Sequence, residues 1–125
     1  MTDDPIPLLS FPEIVLNLSL PENAALRLDR GLKEVNSGGV RGIIVYRVNS
    51  TSFHAYERNC SFQPNEAGAT INIHSSKLYF IDDSCGSSFS LEEGTPTGGP
   101  AWRPLRQYRT VFSNNTVTIT DEAIN

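Results

Sequence analysis

Apolar and polar residues alternate along Glu13–Leu20, with Ile14, Leu16, Leu18 and Leu20 on one face and Asn17 and Ser19 on the other. A period of two marks a half-buried strand, and Pro21 ends it. The next apolar group, Ala24–Asp29, fits either a short strand or a helical turn. Asn36–Gly39 reads "NSGG", a turn. Val40–Asn49 is almost continuously apolar and β-branched, as in a central strand, and Ser50–Asn59 returns as its partner around Asn49–Ser52. Two short strands, "ATINIH" and "KLYFID", are joined at Ser75–Ser76. A last hairpin pairs Leu105–Ser113 with Thr116–Thr120 through Asn114–Asn115, an Asn pair that tolerates positive φ. The pattern predicts an all-β domain of about eight to ten short strands, with no long helix and no internal repeat.

Composition narrows the picture. The chain has 125 residues, enough for one domain with one core. Its 9 Gly and 8 Pro fall at turn-like places, as expected of a loop-rich β chain. A net charge of −4 argues against a nucleic-acid surface. The nearest approach to a basic cluster, Arg103, Arg106 and Arg109, is expected to be a solvated strand face. The longest purely apolar runs, such as Ile43–Tyr46, are far too short to span a bilayer. "MTDDPIP" has neither a basic nor an apolar leader region. Either the protein is cytosolic, or Met1 follows a removed export signal and residues 1–12 are a tether leading into the first strand.

The stretch "DDSCGSSFSLEEGTPTGGPAWRPLRQY", Asp82–Tyr108, carries the candidate chemistry. Gly86 and two small hydroxyl residues follow Cys85, so backbone N–H groups and hydroxyls are placed to face whatever lies at residue 85. Gly94, Gly98 and Gly99 permit unusual backbone angles, and Pro96, Pro100 and Pro104 restrict theirs. On these features alone the segment is equally an ordinary Pro/Gly-rich connection.

The order of residues resembles the second cluster-binding loop of Rieske iron–sulfur domains, C-x-x-H-G-S-x-F followed by a Gly turn and G-P-A-x-x-P-L with an aromatic. Gly86, Ser87 and Phe89 match the first part; Gly99, Pro100, Ala101, Pro104, Leu105 and Tyr108 match the second. The likeness is specific over about 30 residues and extends more weakly to Val40–Cys60. It looks closest to bacterial cell-envelope Rieske-like proteins, often lipoproteins, in which ligand positions have changed. The resemblance implies a β-sandwich or barrel carrying a two-loop subdomain at about residues 58–104.

The departures are informative. A Rieske cluster takes two Cys on one iron and two His on the other. Aligned on G-S-x-F, Cys85 stands where the second His belongs and Asp82 where the second Cys belongs. In the first loop, "ERNCSF", there is no C-x-H: Cys60 at the His position leaves Arg58 at the Cys position. The chain has two Cys and two His, but in the order His54, Cys60, His74, Cys85. Both His are expected to be ordinary surface or edge residues. Arg58, Cys60, Asp82, Cys85, Gly86 and Ser87 are therefore expected to be vestigial cluster-loop positions, with no metal and no cofactor; the alternative is a 2Fe–2S electron carrier with a non-standard site.

If the two loops keep their placement, the resemblance implies that Cys60 faces Cys85, where a disulfide would close a loop of roughly 25 residues worth about 3–3.5 kcal/mol. It would also imply an oxidising compartment, the periplasm or cell surface, with membrane anchoring through a lipidated N-terminus. Two separate buried thiols are the alternative. A redox-active pair is disfavoured because no C-x-x-C exists, although Arg58 near Cys60 is placed to lower a thiol pKa. No His follows Ser84, Ser87 and Ser88 to serve as a base, and Glu92–Glu93 are adjacent and point apart, so no catalytic residue is assigned. The expected protein is a non-enzymatic envelope domain of unknown partner. A third reading is an adhesion or assembly module whose contact is Trp102 beside Arg103.

Overall fold

The computed structural model describes residues 6–62 and 64–125. Among these described residues, ten strands form two antiparallel sheets. The larger sheet has the order β1 (Ile14–Asn17), β10 (Thr116–Ala123), β9 (Gln107–Ser113), β4 (Phe53–Glu57), β3 (Ile43–Arg47) and β2 (Leu32–Val35). The smaller sheet runs β5 (Ile71–Ile73), β6 (Tyr79–Asp82), β7 (Ser88–Ser90) and β8 (Pro96–Gly98). It is inserted between β4 and β9 of the larger one. The ambiguous segment after Pro21 is helical: a 3-10 helix spans Pro21–Arg27 and buries Leu26.

The continuous apolar run of β3 is explained by its position. Ile43 and Val45 point into a core with Leu16, Leu26, Phe53, Val117 and Ile119. Ile44 and Tyr46 point the other way, into a second core with Tyr56, Ile71, Phe80, Phe89 and Leu105. A strand covered on both faces has no polar face to alternate with. β4 follows the same rule: Phe53 and Ala55 join the first core and Tyr56 the second. The hairpins turn where the sequence predicts. Asn49 Oδ1 accepts from the amides of Thr51 and Ser52, at 2.9 and 3.0 Å, and Asn114 and Asn115 both have positive φ.

Residues 1–5 of the predicted tether lie outside the described residues. Ile6–Pro12 has no regular structure but is docked: Phe11 packs edge-on against Tyr108 at 5.1 Å, and its amide donates to Asp121. The three arginines do not form one solvated face. Arg109 pairs with Glu122 on the surface. Arg106 precedes β9 and donates to carbonyls of Asn125 and Ile6, clasping two ends of the chain. Arg103 lies in the connection before β9 and donates to Ser61 O.

Glu57 closes β4 as a fully buried carboxylate. Four donors converge on it: the amides of Val40 (2.6 Å), Arg41 (2.9 Å) and Asn59 (3.0 Å), and the Tyr108 hydroxyl (2.5 Å). A buried carboxylate without such donors would be strongly destabilising. Burial, and then the Glu57 carboxylate, push the Tyr108 pKa above its usual value; burial does the same at Tyr56.

Tyr108→Phe should cost about 1.5–3 kcal/mol in urea denaturation, the value of a hydrogen bond to a charged group; an unchanged midpoint would mean that the bond is not formed. Both tyrosines keep their protons when folded at a pH where the unfolded chain, titrating near 10, loses them. Their contribution is complete below pH 10 and is lost above it, by about 1.4 kcal/mol per pH unit for each tyrosine. Tyr108→Phe should therefore flatten the alkaline stability curve.

Candidate functional site

Two loops and one connecting segment meet at the edge of the second core. The first loop leaves β4 through Asn59, whose bridge to Thr70 closes it. Inside the closure, the Cys60 amide donates to Ala69 O at 2.9 Å. The Asn59 side-chain amide donates to the carbonyls of Pro64 and Ala69. Arg41 supplies most of the remaining hold. Its guanidinium donates to the carbonyls of Pro64, Glu66 and Ala67 and to Thr70 Oγ1, at 2.7–3.3 Å. The amide of the same residue is bound by Glu57. This one residue thus ties the first loop to the buried carboxylate.

The second loop is a tight turn from β6 to β7. Gly86 N donates to Asp82 O and Asp82 N to Ser87 O. Asp82 Oδ1 accepts from the Ser84 amide (2.9 Å) and the Ser84 hydroxyl (2.7 Å). Gly86 has φ +78° and open space where a Cβ would sit, so only its backbone angle calls for glycine. Gly99 has φ +77°, and its Cβ would lie 2.6 Å from Gly86 O and Ser87 Cα, so it is required on both counts. The segment after Gly99 is tied to both loops. Ala101 N donates to Ser87 Oγ at 3.1 Å. Ser61 and Arg103 exchange two bonds of 2.8 Å, hydroxyl to carbonyl one way and guanidinium to carbonyl the other.

This ring brings Cys60, Asp82 and Cys85 together. One donor atom from each lies within 4.8 Å of the other two. Asp82 and Cys60 are fully buried, and Cys85 is partly exposed. Cys85 Sγ is 3.4 Å from Asp82 Oδ2 and 3.1 Å from Ser87 Oγ. The Phe62 amide donates to Cys60 Sγ at 3.4 Å. Burial pushes the Cys60 thiol well up; the Phe62 amide opposes this and Asp82 adds to it. The sulfurs are not bonded to each other. A small cleft of about 120 Å³, lined by Phe62, Glu66, Gly68, Ala69, Asp82, Ser84 and Cys85, opens over the group.

The other sequence candidates lie elsewhere. Arg58 follows β4 with its guanidinium on Ile71 O, Asn72 Oδ1 and Glu34, so it neither reaches the site nor acts on the Cys60 thiol. His54 is half-buried, with Nδ1 donating to Glu92 O at 2.6 Å beside the Tyr56 hydroxyl. His74 sits in the β5–β6 turn, bonded to Ser76 and stacked on Tyr79 at 4.2 Å. Trp102 is 47% exposed, and the Arg103 guanidinium lies over its ring at 5.1 Å. Arg41 and Glu57, which hold the first loop, carry no sequence signal. Their partners are backbone groups remote in the chain.

No protein-family model matches the chain, and no curated protein matches it. Solved structures do. A chain in the "complex of reduced oxygenase and oxidized ferredoxin in carbazole 1,9a-dioxygenase" is similar with a TM-score of 0.56 and 20% identity, covering 78% of this chain and 86% of that one. The ferredoxin of carbazole 1,9a-dioxygenase from Nocardioides aromaticivorans IC177 is similar with a TM-score of 0.51 and 18% identity, covering 76% and 88%. The fold is that of a Rieske-type ferredoxin.

That fold implies a 2Fe–2S cluster, so the residues present must be tested against one. A Rieske cluster needs two thiolates and two imidazoles. Here the convergent donors are sulfur, oxygen and sulfur, with no imidazole in the group. The Nδ1 atoms of both histidines make local contacts instead. The residues do not fit a Rieske cluster. Arg41→Ala should raise amide exchange at Cys60 and Ala69 by at least about tenfold, since each bond from a charged donor is worth about 1.5–3 kcal/mol. Exchange at Phe80 and Phe89 should stay unchanged; equal acceleration there would mean that Arg41 supports the whole fold.

Proposed function

We propose that this Rieske-like domain has lost its 2Fe–2S ligands and works without an enzymatic reaction, as a binding module of the bacterial cell envelope. The observation that carries the reading is the donor set at the loop junction: Cys60, Asp82 and Cys85 converge, and neither histidine joins them. The first loop is also held by Arg41 and Asn59 through protein hydrogen bonds. In an oxidising compartment Cys60 and Cys85 form a disulfide. The two thiols give up two protons and two electrons to an exogenous disulfide oxidant. A lipidated N-terminus would tether the domain at the cell surface. Trp102, exposed and stacked on Arg103, is the contact for a protein partner.

The rival reading, an electron carrier with a non-standard 2Fe–2S site, draws on the likeness to ferredoxins. Anaerobic purification with iron and sulfide supplied separates the two. The expected result is no stoichiometric iron and no visible charge-transfer absorption; about two irons per chain would overturn the proposal. The disulfide has its own test. Protein isolated from an oxidising compartment should be lighter by two hydrogens than after reduction, and Cys85→Ser should cost about 2–4 kcal/mol. Free thiols in such protein would remove the disulfide from the account.

A further inference from the structure

Asp82 is fully buried; its carboxylate accepts from the Ser84 amide and hydroxyl and from the Cys85 thiol, and Cys60 is a further side-chain hydrogen-bond partner. Among the described residues no Arg, Lys or His forms an ion pair with it. A buried carboxyl that faces two thiols and has hydrogen bonds but no cation beside it is a good arrangement for a metal ion.

We propose that the reduced chain binds one zinc ion through Cys60 Sγ, Asp82 Oδ2 and Cys85 Sγ, with water in the fourth position. The inference rests on the reading of a cluster-free site. Three protein ligands and an open position are a standard zinc arrangement, and thiolates with a carboxylate suit this borderline-soft ion. Tetrahedral bonds of about 2.3 Å to each sulfur set the sulfurs roughly 3.8 Å apart, so the present spread needs to close by at most about 1 Å. Binding displaces one proton from each thiol. The resulting charge, two thiolates and one carboxylate against the dication, is −1.

The surroundings match the requirement. The Ser84 amide and hydroxyl fix Asp82 Oδ1 and leave Oδ2 toward Cys85. The Phe62 amide points at Cys60 Sγ, and Ser87 Oγ, itself held by Ala101 N, lies against Cys85 Sγ. Such outer contacts orient ligands and raise affinity. The cleft over Ser84, Cys85 and Glu66 gives the ion a path in and the water a place to sit. Oxidation to the disulfide removes both sulfur ligands, so zinc binding and the disulfide are alternative states of one pair.

The test uses the full chain, reduced with a phosphine and stripped of metal, titrated with Co²⁺ and then Zn²⁺. Expected are thiolate-to-cobalt charge-transfer bands that saturate at one ion per chain and bleach on zinc addition. Cys85→Ser should abolish the bands. Asp82→Asn, which keeps the acceptor for the Ser84 amide, should weaken cobalt binding at least about tenfold, the lower end of what even outer partners of a ligand contribute. X-ray absorption of the zinc form should show two sulfur ligands. A folded, reduced chain that takes up no cobalt, or binds it without charge-transfer bands, overturns the inference. That failure leaves the cluster-free reading standing. Two irons per chain after iron and sulfide treatment would overturn both.

Discussion

The buried carboxylate of Glu57 is the constraint on which the site depends. It sits at the end of β4, where the chain leaves the larger sheet for the first loop. Its four donors come from the turn before β3, from the loop's first residues and from β9. One charge therefore fixes three segments that a β-sandwich would otherwise leave to loop entropy. Arg41 converts that fixation into order at the first loop: its amide is bound by Glu57 and its guanidinium by the loop's carbonyls. Tyr108 carries it to β9 and to Phe11 beyond.

Much of this architecture was legible in the chain. Alternation located β1, and the apolar run of Ile43–Tyr46 marked a central strand; that it divides two cores, where the sequence suggested one, was not legible. Asn49 and Asn114–Asn115 marked turns through side-chain and αL chemistry that is local, hence readable. The pattern around Gly86 and Gly99 was legible for the same reason, since those residues answer to backbone geometry. Residues whose meaning depends on distant partners were not. Arg58 is near Cys60 in sequence, yet the strand turns it toward Glu34 and Asn72. Arg41 is 19 positions before Cys60, and nothing in its neighbours announces its grip on the loop. Arg103 and Arg106 looked like surface charge because the carbonyls they bind belong to Ser61, Ile6 and Asn125.

The loop junction sits on a Rieske-type ferredoxin fold, and its convergent side chains are two thiols and a carboxyl. The turn from Asp82 to Ser87, the close approach of Gly99 and the paired bonds between Ser61 and Arg103 hold the junction through contacts within the chain. Within that frame a compact sulfur–oxygen–sulfur group forms, whereas a Rieske cluster takes two thiolates and two imidazoles. Its two sulfurs are unbonded, and together with the Asp82 oxygen they form a group small enough for a single ion.

Anomalous diffraction from crystals of the reduced protein, grown with both iron and zinc available and measured at both absorption edges, tests this account most directly. It predicts one zinc peak between Cys60, Asp82 and Cys85 and no iron peak. Two adjacent iron peaks at the loop junction, with a histidine nitrogen among their ligands, would contradict it.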